Sequence, residues 1–333
     1  MADGQSGGVS RWRMAARGGL GIGWFMMAFW LAGAVKIATA GDWFEPLYRI
    51  ALLGLLLGGY SVMEIVLEGR HDALRAMGFV RRATAVREWA LGALLGWGMV
   101  VGAVLPMVLC GALQTSLWTE PRAFYLLALN LVVIAAGSLA AEVAFRGYAF
   151  QRLIDGVGPG WATGIMAVFF GWMHMRNHGA SMSSLLVTML AGVLLSIAYL
   201  RTHALWLPWG LHLAWNLSLG VVLGLPVSGN TDFATVIQTT ATGPLWLTGG
   251  GYGPEAAAGT LVVLVIGIAV LVRATRDYAW EYTHRAIVAA GYAMDVAPPK
   301  AHVEMEAQAA AEPKLVQILP TTPTNSRVGG EGI

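Results

Sequence analysis

FYLLALNLVVIAAGSLAAEVAFRGYAFQR, residues 124–152, is a predominantly apolar run that nonetheless carries Glu142 and Arg146. Its length is that of a membrane-crossing helix. A charge at membrane depth costs about 2.5–3.5 kcal/mol on insertion scales, so such residues are functional candidates by default. The two lie four residues apart, on one helix face, where they can pair. Two further polar groupings follow in equally apolar surroundings: FFGWMH, ending at His174, and LPWGLHLAWN, holding His212 and Asn216.

The rest of the chain agrees with a membrane setting. Hydrophobic residues make up 56% of the sequence and charged residues 12%. The charged share is roughly half that of soluble domains, and mean hydropathy is +0.61. A net charge of +2 gives no electrostatic reason to invoke nucleic acid. The single cysteine, Cys110, excludes a disulfide framework. Neither an HExxH metal motif nor a GxGxxG loop in a strand–turn–helix context occurs.

Apolar runs place about eight spans, near 19–38, 47–67, 90–114, 124–152, 160–177, 183–200, 205–224 and 257–273. The fold class is therefore all-α, a polytopic membrane protein. The first run lacks a small-residue cleavage site and reads as a span, not a signal peptide. Residues 1–18 form a cytoplasmic segment, 19–276 the helical domain, 277–294 an interfacial segment and 295–333 a disordered cytoplasmic tail. Arginines cluster before the first span, after the second (Arg70, Arg75, Arg81, Arg82, Arg87) and after the last (Arg273, Arg276, Arg285), whereas 225–256 has no Lys or Arg. The positive-inside rule puts both termini in the cytoplasm of a plasma or inner membrane protein, consistent with an even number of crossings.

Helix rise tests whether the polar groups reach one depth. Counted from the cytoplasmic ends, Glu142 lies at about 15 Å, His174 at about 20 Å, His212 near 10 Å and Asn216 near 16 Å. Three helices thus bring polar groups to one band, which predicts a shared cavity in the cytoplasmic half of the bundle. Phe170 and His174, and likewise His212 and Asn216, are each four apart. Asn216 on the face of His212 can hold that ring in one tautomer. Glu64, Glu68 and His178 read as interfacial, with Arg152 as an anchor.

These motifs resemble the CPBP family of CAAX proteases and bacteriocin-processing (Abi) proteins, whose pattern is EExxxR, then FxxxH, then HxxxN. The match runs through residues 90–255, with Phe170-Gly-Trp-Met-His174 and His212-Leu-Ala-Trp-Asn216 standing for the second and third motifs. In the first motif Glu142 and Arg146 match, while Ala141 replaces the leading glutamate. The resemblance implies an intramembrane endopeptidase acting on a membrane-anchored or lipidated, CAAX-type protein among membrane lipids. It implies water activation by the first glutamate with the FxxxH histidine, and oxyanion stabilisation by the His and Asn of HxxxN. Without the first glutamate, Glu142 or His174 is left to activate water, with His212 and Asn216 as donors, Arg146 as a structural ion-pair partner and Phe170 as support. A zinc ion on Glu142, His174 and His212 is one alternative. A second is a catalytically inactive pseudoprotease that binds membrane peptides, because of Ala141. A third, a proton-coupled transporter, lacks the inverted repeat such folds show.

Overall fold

The structure, a computed structural model, describes residues 6–35, 39, 41–276, 303–305 and 307. It divides into a unit Met1–Ala279 and a unit Trp280–Ile333. In the second unit the described residues, 303–305 and 307, are helical. The expected interfacial segment 277–294 and the rest of the 295–333 tail lie outside the described residues.

All the expected apolar segments fold as helices. They are α1 (Ser6–Gly33), α2 (Phe44–Glu68), α4 (Ala85–Leu109), α5 (Pro121–Arg146), α7 (Pro159–His174), α8 (Met182–Thr202), α9 (Trp206–Leu217) and α11 (Ala258–Ala274). Short helices α3 (Ala73–Ala76), α6 (Tyr148–Val157) and α10 (Leu245–Thr248) lie between them. Segments 41–68, 85–109, 121–157 and 182–202 are long and apolar enough to cross a membrane, and α11 is a shorter apolar helix. The chain is an integral membrane protein on this count.

Three details depart from the sequence reading. Helix α1 covers Ser6–Gly33, so Arg11, Arg13 and Arg17 belong to the same helix as the first apolar run. The 124–152 span breaks at Gly147, whose ψ of −134° leaves the helical range. A Cβ there would stand 2.3 Å from the Val143 carbonyl oxygen, so glycine permits the kink. The all-α expectation also omits a two-stranded antiparallel sheet, β1 (Leu113–Leu117) with β2 (Ile237–Ala241), in register Leu113↔Ala241 through Leu117↔Ile237. The expected apolar run 90–114 took Leu113 and Gln114, the first residues of β1, as its tail.

Packing gathers around two apolar clusters. One joins α1, α2, α5, α6 and α7 through Phe25, Tyr60, Phe145, Tyr148 and Phe170. The other joins α4, α8, α9 and α11 through Met99, Leu194, Leu207, Leu211 and Leu264. In lipid, helices associate by close packing of small residues rather than by the hydrophobic effect. Helices α4 and α9 show this closely: a Cβ on Gly92 would reach 2.2 Å from the Leu207 oxygen, and one on Gly210 would reach 2.2 Å from the Trp89 oxygen. That contact fixes α9, and with it His212 and Asn216.

Candidate active site

The motif residues converge. Glu142, fully buried on α5, accepts a hydrogen bond at Oε1 from His212 Nδ1 on α9, at 2.7 Å. Arg146, one turn on, lies 3.4 Å from the same oxygen and donates from Nη2 to the Gly192 carbonyl on α8 at 2.8 Å. Its guanidinium stands 5.4 Å from the centroid of Phe170. Glu142 therefore ties α5 to α9, and Arg146 ties α5 to α8. The sequence assigned the tautomer of His212 to Asn216; the hydrogen bond to Nδ1 comes instead from pairing with Glu142. A carboxylate behind a histidine fixes its orientation and leaves Nε2 as the working atom.

His174 is the last residue of α7, and its Nδ1 lies 2.7 Å from the Phe170 carbonyl oxygen. That carbonyl can only accept, so Nδ1 carries the proton and Nε2 of the neutral ring is left as an acceptor. The Phe170 ring stands beside both histidines, its centroid 4.6 Å from that of His174 and 6.3 Å from that of His212.

Phe170, His174, His212 and Asn216 line one cavity of about 960 Å³. It lies between the two apolar clusters, taking Phe25, Phe145 and Phe170 from one and Met99, Leu194, Leu211 and Leu264 from the other. Ala141 lines it as well, whereas Glu142 is turned away from it toward Arg146 and His212. The position at which the related motif carries its first glutamate thus faces the cavity, and the second faces the helix contacts.

The cavity does not reach the arginine-rich end as the sequence reading expected. Its loop residues come from 177–178 and 227–233 and from Glu255, beside the N-terminal turns of α2; none comes from 69–84. The depth count placed the motif residues at mid-bundle but carried no information on which end the space around them opens to. Nor do the residues fit a zinc ion: among the described residues, no group of three or more His, Cys, Asp or Glu could hold a metal. Glu142 is engaged with Arg146 and His212. The three residues named for zinc do not converge on a point.

Sequence reasoning missed three residues beside the site. Glu255 accepts from Trp215 Nε1 at 2.8 Å and from Ser228 Oγ at 2.9 Å, and also takes the Ser228 backbone N–H. Both Glu255 and Trp215 line the cavity. The available signal was that 225–256 holds Glu255 but no Lys or Arg to pair with it. Glu68 and Arg152 were read as interfacial but are buried partners, 3.1 Å apart. His178 is exposed at the turn after α7, as an interfacial residue should be.

Residues 122–218 match the family model described as type II CAAX prenyl endopeptidase Rce1-like. No curated protein and no solved structure matches the chain. The matched segment begins at the start of α5 and ends just past Asn216, so it holds all three motifs and the pairing that joins them. Through this segment the chain is similar to the type II CAAX prenyl endopeptidases that the family model describes.

Proposed function

We propose that the chain is an intramembrane endopeptidase that hydrolyses a peptide bond in a membrane-anchored or lipidated, CAAX-type protein. The observation that carries this reading is that His174, His212 and Asn216, from two motifs on separate helices, line one cavity within the family-matched segment. In this reading His174 Nε2 takes a proton from the attacking water as general base. The Asn216 amide and the Glu142-paired imidazolium of His212 donate to the oxyanion of the tetrahedral intermediate. Glu142 acts behind His212, and Arg146 holds Glu142 and α8 in place.

The chain crosses the plasma or inner membrane eight times in this reading, with both termini and the arginine-rich segments cytoplasmic. A pseudoprotease that binds membrane peptides without cutting them is the second reading; the cavity-facing Ala141 favours it.

Protein-terminus profiles of membranes from cells expressing wild type or His174→Ala test the proposal. Termini that depend on wild type establish proteolysis and identify the substrate. Equal profiles at equal abundance of folded protein favour the pseudoprotease.

A further inference from the structure

Ala141 removes a carboxylate from the cavity wall, yet the wall is not without one. Glu255 stands on it, contributed by the segment just before α11, outside the matched motifs. Three donors fix its orientation. Oε2 accepts from both the N–H and the hydroxyl of Ser228, while among the described residues Oε1 accepts only from Trp215 Nε1. A carboxylate oxygen can accept two hydrogen bonds, so Oε1 keeps a lone pair free for a water molecule.

The clamp is built at some cost. Ser228 sits at φ +47°, a left-handed conformation that side chains other than glycine rarely adopt. Strain of this kind persists where surrounding contacts over-determine it and concentrates at functional sites. Here those contacts are the double hydrogen bond to Glu255 and the bond from Asn177 Nδ2 to the Ser228 carbonyl, at 2.9 Å. Trp215, the other donor, lies one residue before Asn216 and three after His212, so the clamp is anchored on the same helix as the proposed oxyanion donors. Burial raises the Glu255 carboxyl above the ordinary carboxylate range, against the opposing pull of Trp215, Ser228 and His212. A base is most effective when its pKa approaches the working pH.

We propose that Glu255 is the carboxylate that activates the attacking water in this chain, in place of the glutamate missing at Ala141. The inference rests on the endopeptidase reading. The water oxygen bonds to the scissile carbonyl carbon as its proton passes to Glu255 Oε1. When the C–N bond breaks, that proton goes to the departing amine, leaving a carboxylic acid and an amine as products. His174 then orients the water instead of serving as the sole base.

The test compares terminus profiles of membranes from cells expressing the full chain as wild type, His174→Ala, Glu255→Gln, and Glu255→Gln combined with Ala141→Glu, with abundance and melting temperature measured for each. Wild-type-dependent termini should fall about 100-fold in Glu255→Gln and recover at least in part in the double variant, where a carboxylate returns to the cavity wall at position 141. Termini lost in His174→Ala but retained in Glu255→Gln would overturn the role of Glu255 and leave the protease reading standing. Loss in Glu255→Gln with no recovery in an equally abundant, equally stable double variant would reduce Glu255 to a clamp for the 227–233 loop. Wild-type membranes with no dependent termini would end the endopeptidase reading and this proposal with it.

Discussion

Two buried carboxylates of this bundle, Glu68 and Glu142, each gather an ionic cluster, and of these two clusters one touches the cavity. Around Glu68 on α2, Arg17 from α1 donates at 2.9 Å, Arg152 from α6 at 3.1 Å and the Tyr148 hydroxyl at 3.1 Å. Around Glu142 on α5, His212 and Arg146 gather at 2.7 and 3.4 Å. Both clusters join three elements, and the carboxylate at the centre of each is buried. None of Arg17, Glu68, Tyr148 and Arg152 lines the cavity, whereas His212 does. Ionisable groups at membrane depth mark either a site or a brace; the empty space beside them distinguishes the two.

The comparison can be broken at several points. The largest expected effect is on chemistry: His174→Ala should lower cleavage by about 1,000-fold while leaving the melting temperature near that of wild type. Cleavage rates with thermal unfolding of the purified protein check this, and a variant that unfolds instead would move His174 to the structural side. Next in size, Glu68→Gln leaves Arg17 and Arg152 facing an uncharged partner. Breaking a buried pair in this way should cost about 3 kcal/mol of stability, read as a lowered denaturation midpoint, with activity per folded molecule retained.

Smaller effects sharpen the boundary between the two clusters. Gly210→Ala places a methyl group against the Trp89 carbonyl and should push α9 away from α4. Overpacking of this kind costs about 1–3 kcal/mol and displaces His212, so unfolding and cleavage assays should both register it. At the small end, Arg122 pairs with Asp42 at 2.5 Å, but its side chain is 52% exposed. Arg122→Ala should change stability by less than about 1 kcal/mol and leave cleavage unaltered, as measured by the same two assays.

Much of this was legible in the residues. Runs of apolar side chains located the long helices because a bilayer-spanning helix must be apolar along its whole length. The i,i+4 spacing of Glu142 and Arg146 foretold their contact because helix geometry alone sets it. The partner of His212 was not legible: Asn216 lies on its own face, but Glu142 approaches from another helix, and only packing decides between a local and a distant partner. Glu255 was hidden for a related reason. Its importance comes from a loop folding back over α9, which no local period encodes. Arg152 looked like an anchor at the end of a straight span; the kink at Gly147 turns α6 along α1, with Ala149 against Gly21 and Leu153 against Gly18, and brings Arg152 to Glu68.

The central claim is that the cavity-lining cluster performs chemistry and the Glu68 cluster holds helices. The most direct test measures cleavage per folded molecule for His174→Ala and Glu68→Gln side by side, in membranes carrying the substrate that terminus profiling identifies. The account predicts that His174→Ala is folded and inactive, while Glu68→Gln is less stable but active in its folded fraction. A folded Glu68→Gln that has lost cleavage, or a His174→Ala that keeps it, would contradict the division.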